Sequence, residues 1–202
     1  MTKSWKYRST IKSRPFFYIE TKKLTDLILQ GFNDYELREK VVKENILQAA
    51  SVTRRKEIAA TVLRRLHKLD EFLLKHIQSN SIETSKAIVL YSIIKSDRLF
   101  YEFIHEVIYE QISIGNMTLK DSDFDNYFEM KRVQSETVAS WQDYTIYKLK
   151  QVYKRVLFET GLIQRQNKHN KIVIPIIDPT VSDHIKQIED APFIHIVLGG
   201  GK

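Results

Sequence analysis

Between Ile58 and Leu73 the apolar residues Ile58, Val62, Leu66, Leu69 and Leu73 follow one another at intervals of 4, 4, 3 and 4. That spacing keeps returning to one side of a 3.6-residue turn and predicts one continuous helix from about Thr53 to Leu73. The same rhythm governs nearly everything from Thr21 to Gln111. Leu24, Leu27 and Ile28 make a short helix closed by Gly31. Asn33 or Asp34 caps a second that carries Leu37, Val41 and Val42, and Ser81 opens a fourth through Ser85 and Ala87. Leu99, Phe103, Val107 and Ile108 belong to a fifth. Helices of this length joined by short polar breaks form an antiparallel bundle. With 202 residues, 43% of them hydrophobic and only 4 Pro and 6 Gly, the chain builds a core rather than a disordered or fibrous polymer.

The character changes at Gly115. Residues 117–120 read as a link, and Asp121 opens a helix whose acidic first turn suits the macrodipole. Another helix starts near Ser135 and Thr137, and a stronger one covers 141–159 before Gly161 stops it. Residues 162–166 and 171–177 then read as a hairpin around the turn-rich 167–170. Helix, helix, helix, glycine, hairpin is the order of a winged helix-turn-helix domain, with a generic α+β tail as the alternative. Residues 179–187 add a terminal helix and 193–198 a last strand. The fold class expected is therefore mainly α: a basic N-terminal arm (1–20), an N-terminal helical bundle (21–115), and a winged-helix-like domain with a small β-hairpin (116–202).

Catalytic chemistry finds little footing. There is no Cys, which excludes disulfides, thiolate metal sites and a Cys nucleophile, and fits the cytoplasm. No apolar run approaches the roughly 18 residues of a membrane span, and the leading residues lack the apolar stretch of a secretory signal. The Gly199-Gly200-Gly201-Lys202 run has no Ser or Thr after the Lys and is not a phosphate loop. Asp121, Asp123, Asp125 and Glu129 resemble the start of a calcium loop, but Asn126 stands where Gly is needed and Glu129 falls at position nine instead of twelve. His105 beside Glu102 and Glu106 reads as a helix-surface ion pair. No catalytic residue, metal site, cofactor or small-molecule substrate is expected.

The charge distribution is more telling than the net +7. Residues 1–23, 53–68 and 131–172 carry +6, +5 and +6, while the stretches between them are acidic. Blocks of this kind suit a directed polyanion surface. On the 141–159 helix, at about 100° per residue, Ile146, Leu149, Val152, Tyr153, Val156 and Leu157 gather on one side. Tyr144, Tyr147, Lys148, Gln151, Lys154 and Arg155 gather on the other, with no acid among them. Cations for phosphate or guanine, Gln for adenine and Tyr hydroxyls for phosphate oxygens suit a nucleic-acid groove. Arg165, Lys168, His169 and Lys171 lie on or beside the hairpin, where a wing touches backbone. The helix from Thr53 offers a second candidate surface: Arg54 and Arg55 at its first turn, Lys56 and Arg64 outward with Ala60, His67 and Lys68, and Arg65 on the flank. Packing of these residues against the acidic 81–130 segment is the competing account. The arm, with Lys3, Lys6, Arg8, Lys12 and Arg14, supplies a mobile third contact.

Taken together, Tyr7-Arg8-Ser9, Glu20-Thr21 and the Leu-rich helix after it, the 103–108 helix, Trp141-Gln142-Asp143-Tyr144-Thr145 leading into Lys148-Leu149, and Glu159-Thr160-Gly161-Leu162-Ile163 resemble the BrxA family of bacteriophage exclusion (BREX) defence systems. The resemblance spans about residues 7–178. It implies a cytoplasmic, non-enzymatic protein that binds double-stranded DNA and works beside other BREX proteins; no membrane attachment is expected from the sequence itself. It also implies a helical part like that of NusB, an RNA-binding antitermination factor. Duplex DNA at the basic positions above, RNA at the bundle through Arg54, Arg55, Arg64 and Arg65, and a protein-interaction scaffold are the three functions this leaves.

Overall fold

Side-chain caps decide where most of the first helices begin. The computed structural model describes residues 5–166, 169–189 and 191–199. Its first helix, α1 (Tyr18–Leu29), ends at Gly31, which takes the left-handed backbone (φ 95°) that lets its own N–H and that of Phe32 reach back to the last turn. In α2 (Asp34–Lys43) the Asn33 side chain accepts from the backbone of Tyr35 and Glu36 while Glu36 accepts from the backbone N–H of Asn33, a reciprocal capping box. Ser51 caps α3 (Val52–Leu66), Asp70 caps α4 (Glu71–Ser79) and Ser81 caps α5 (Ile82–Ile94).

The continuous helix expected from Thr53 to Leu73 is in fact two. The Asp70 carboxylate accepts from Leu73 N–H at 2.9 Å and starts a new helix, so the chain turns at 67–70 while Leu66, Leu69 and Leu73 all still face the interior. α5 is buried on nearly every side, Lys86 being the exception between Thr84 and Ile94. It is the axle of the bundle, touched by α1, α3, α4 and α10. The fifth helix starts as α6 (Arg98–Phe103), widens into a π turn (Ile104–Tyr109) and ends as α7 (Glu110–Ser113).

In the second half β1 (Thr118–Leu119) precedes α8 (Asp121–Gln134), α9 (Glu136–Ala139) and α10 (Asp143–Thr160). Then come β2 (Ile163–Gln166), β3 (His169–Ile172), α11 (Pro179–Ile188) and α12 (Pro192–Val197). The molecule is thus mainly helical with a small antiparallel sheet of order β1-β3-β2. Gly161, at φ 84°, turns the chain from α10 into β2, a backbone conformation that costs other residues roughly 1 kcal/mol or more. Three sequence expectations change here. The link at 117–120 contains a strand, because Thr118 and Leu119 pair with Lys171 and Asn170. The second hairpin strand starts inside the expected turn and ends at Ile172, ahead of Pro175, which has no N–H for a ladder. The last strand is the helix α12, whose Phe193 packs against Tyr101, His105 and Tyr109.

The helices of the two halves meet around fully buried aromatics. Phe100 and Phe103 of α6 pack on Phe124 and Tyr127 of α8 and on Tyr153 of α10, which Phe128 of α8 also meets, with ring centroids 4.9–5.5 Å apart in these contacts. The Tyr127 hydroxyl donates to Leu99 O at 2.6 Å. Burial pushes the Tyr153 phenol well above its ordinary pKa.

The basic arm, expected to be mobile, is docked over residues 5–17. Tyr7 donates to Glu102 at 2.9 Å, Lys12 to Thr145 Oγ1 at 3.2 Å, and Arg14 to Thr61 Oγ1 at 2.9 Å. Glu102 also bonds Arg98 and the buried Lys131, both at 2.7 Å. Burial alone would raise the Glu102 pKa, but these donors outweigh it and hold the carboxyl below its ordinary value.

Candidate nucleic-acid interface

α10 has the two faces its spacing predicts. Ile146, Leu149, Val152, Tyr153, Val156 and Leu157 are buried. On the other side Tyr144 and Tyr147 are 66% and 54% exposed, Gln151 and Arg155 are exposed, and Lys148 and Lys154 are half-buried. The outer face divides along its length. In the first half Lys148 Nζ lies 5.4 and 5.7 Å from the ring centroids of Tyr144 and Tyr147 and donates to Gln151 Oε1 at 3.2 Å. Gln151 Nε2 donates to the Tyr147 hydroxyl at 2.8 Å. No carboxylate touches this group among the described residues, so its positive charge is held in place by neutral neighbours.

The second half departs from the acid-free face expected. Lys154 pairs with Asp121 at 2.7 Å, Arg155 with Glu159, and Lys150 with Asp125 at 2.5 Å. Asp121 and Asp125, which resembled a calcium loop in sequence, reach across from α8, and Asp123 accepts from Lys120 N–H at 2.7 Å to start that helix. At the other end Arg132 of α8 pairs with Asp143 at 2.5 Å. α8 therefore fixes α10 at both ends and leaves the first two outer turns uncommitted.

Beside this helix, the hairpin register sorts its polar residues. Gln164 faces Lys171 and Gln166 faces His169, whereas Arg165 faces Asn170 and Ile163 faces Ile172. Side chains alternate along a strand, and directly opposed residues share a face. Gln164, Gln166, His169 and Lys171 therefore form one side of the hairpin, while Arg165 shares the side of the buried Ile163 and Ile172. All of the first group and Arg165 are exposed, but Arg165 and Lys171 do not form a single patch. Alternation would have separated them once the register was known. Lys168 lies outside the described residues.

The α3 cations split into different roles. Arg65, expected on the flank, is only 2% exposed. Its guanidinium donates to the carbonyls of Arg14, Pro15 and Phe16 at 2.8, 2.9 and 3.1 Å, so it holds the arm and does not face solvent. Burial, with Arg64 adjacent, lowers its pKa to about 9, which leaves it charged at neutral pH. Arg55 donates to Val42 O and Ala49 O at 2.9 and 3.3 Å and ties the α2–α3 loop. Arg54 pairs with Glu57 at 3.1 Å, donates to Ser13 O and lies over the Phe17 ring. Lys56 is exposed beside α2. Arg64 is half-buried and faces a separate cleft with Lys68. Arg54 and Arg155, far apart in sequence, meet at one cavity of about 420 Å³ that Glu20 and Glu159 also line. Lys12, placed by its bond to Thr145, adds a cation next to the uncommitted half of α10.

Among the described residues no helix is long and apolar enough to cross a membrane, and no cluster of three His, Cys, Asp or Glu side chains stands ready for a metal ion.

Comparison with known proteins adds a lineage to this geometry. The family model described as BrxA matches residues 5–189. A Bacillus cereus (strain H3081.97) protein named "BREX protein BrxA" is 48% identical over 199 residues, covering 98% of this chain and all of the relative. A protein of the same name from Paramagnetospirillum magneticum is 25% identical over 158 residues, 78% of this chain and 79% of that one. The crystal structure of an uncharacterized protein from Magnetospirillum magneticum superposes with a TM-score of 0.79 at 23% identity, covering 95% of this chain and 97% of the other, a likeness of fold.

Proposed function

The chain belongs to the BrxA family, and from that premise we propose that it serves a BREX phage-defence system as a non-enzymatic protein that binds double-stranded DNA, alongside other BREX proteins. The observation that carries this reading is the uncommitted first half of α10. In helix-turn-helix proteins the N-terminal residues of the recognition helix enter the major groove. Here those turns hold Tyr144, Tyr147, Lys148 and Gln151 on the outer face, without an acidic partner among the described residues. Lys148 is suited to guanine edges or phosphate, Gln151 to adenine and the two phenols to phosphate oxygens. The strand order β1-β3-β2, with a strand placed before the helices joining the hairpin, supports the winged helix-turn-helix reading. Lys171 and His169 on one side of the wing then face the backbone.

The test is a titration of nuclease-free protein into a labelled duplex of about 25 base pairs and a single-stranded RNA of equal length across a salt series, where each neutralised phosphate contributes about −0.9 to the log–log slope on DNA. Tight, salt-steep duplex binding is expected, and Lys148→Glu should weaken it by about tenfold or more with the melting curve unchanged. Normal duplex binding by that variant, or RNA outcompeting duplex, refutes the assignment of α10. Absence of binding to either polymer at low salt would transfer the function to protein contacts.

A further inference from the structure

A second concentration of positive charge lies away from the α10 face and is concave. Residues 5–10, the end of α3 and the turn between α5 and α6 enclose a cleft of about 720 Å³ lined by Trp5, Lys6, Arg8, Arg64, Lys68 and Arg98, a volume typical of small-ligand sites. Its single carboxylate, Asp97, is already engaged: it caps α6 by accepting from Phe100 N–H at 3.0 Å, and burial raises its pKa. Of the five cations only Arg98 has side-chain partners among the described residues, Glu102 at 2.7 Å and Trp5 O at 2.8 Å. The side chains of Lys6, Arg8, Arg64 and Lys68 make no hydrogen bond or ion pair among the described residues.

Arg64 is the telling member. It is half-buried, and its Nε is sealed from solvent with no partner among the described residues. A guanidinium withdrawn from water without an acceptor is costly. Burial, with the charge of Arg14 near it, lowers its pKa accordingly. Other Arg side chains of the same helix find acceptors in carboxylates or carbonyls; this one is aimed into a basin of like charge. An anion there would satisfy several donors together, and charge-assisted bonds from guanidinium to phosphate are the strong kind. Trp5 stands at the rim, 39% exposed and packed edge-on to Tyr101 at 5.4 Å, presenting a ring on which a second ring can stack.

We propose that this cleft binds a small polyphosphate-bearing ligand of the nucleoside triphosphate type, its phosphates among Arg8, Arg64 and Lys68 and its base against Trp5. Cations converging on one basin suit adjacent phosphates of a compact chain better than those of a stiff duplex, which are spread along a helix. The proposal does not depend on the function assigned to α10.

The experiment is calorimetry at low salt with inorganic tripolyphosphate, ATP and adenosine as probes, paired with fluorescence of a Trp141→Phe background in which Trp5 is the sole indole. Saturable one-to-one binding of ATP and tripolyphosphate is expected, with a change in Trp5 emission for ATP, and none with adenosine. Arg8→Glu combined with Lys68→Glu, both at exposed positions, should weaken ATP by about tenfold or more with the melting temperature and duplex binding retained. Lys148→Glu should leave ATP binding intact, which separates this site from the α10 face. Tighter binding of ATP than of tripolyphosphate assigns the base to Trp5; equal binding overturns that part. Absence of saturable binding, or binding unchanged in the double variant, overturns the site. So does loss of duplex binding in the same variant together with displacement of ATP by duplex, since the cleft would then belong to the nucleic-acid surface.

Discussion

Replacing Arg65 by Met tests whether a buried cation holds the arm or meets a ligand. The guanidinium lies 2% exposed and donates three hydrogen bonds to consecutive backbone carbonyls of residues 14–16. Bonds from a charged donor contribute about 1.5–3 kcal/mol each, but the freed carbonyls regain water if the arm peels away, and Met removes a buried charge whose desolvation was itself unfavourable. The expected net loss is therefore about 2–4 kcal/mol, which in a chain of this size corresponds to a fall in Tm of about 5–15 °C. Urea unfolding gives the free energy, and amide hydrogen exchange across residues 5–17 reports whether the arm has come loose. Arg65→Lys should recover only part of the loss, because a point charge cannot reach three carbonyls in a row. A loss below about 0.5 kcal/mol, the level of an ordinary surface change, or arm protection equal to that of the parent, would refute the structural role. Reduced duplex affinity in a variant of unchanged stability would show that Arg65 faces a ligand.

Two further perturbations probe other elements. Gly161→Ala forces a Cβ into φ 84°; with open space around it the cost is backbone strain alone, about 1–2 kcal/mol in urea unfolding, and no loss would mean the turn relaxes. The Asp178 carboxyl is held down to about 2 by hydrogen bonds from Thr180 and then Asn80, so its stabilisation is complete above the unfolded carboxylate range and disappears as pH falls from about 4 toward 2. Asp178→Asn should flatten that part of the stability–pH curve; an unchanged acid limb would remove Asp178 from the account.

Features carried by local signals were legible in the sequence. Ser81, Gly161 and Asn33, the last expected as a cap with Asp34 as its alternative, mark their boundaries through hydrogen bonds and backbone angles that need only near neighbours. The inner and outer faces of α10 follow from helical period for the same reason. What escaped was set by distant partners. Leu69 and Leu73 keep a helical stripe across the corner at Asp70 because the bundle, not the helix, asks for apolar groups there. Phe193-Ile194-His195-Ile196-Val197 has strand-like composition but folds as helix against the π turn, where tertiary packing overrides propensity. The acids that occupy Lys150 and Lys154 come from α8, the separation of Arg165 from Lys171 needs the hairpin register, and burial of Arg65 needs the path of the arm. Net charge by block shows where cations concentrate along the chain; it could not distinguish cations facing solvent from those facing backbone carbonyls.

The docking of residues 5–17 also bears on the order in which the chain assembles. Its anchors lie far along the sequence: Arg65 is about 50 residues on, Glu102 is 95 from Tyr7 and Thr145 is 133 from Lys12. Contacts of such separation close late, since the loop must be ordered before they form. During synthesis the segment emerges well before α10 exists, at some 5–20 residues per second, and must wait several seconds with its cations and Phe16 unhoused. A portion made early is thus fastened late, and the interval gives a chaperone, or any nearby polyanion, a first opportunity to hold it.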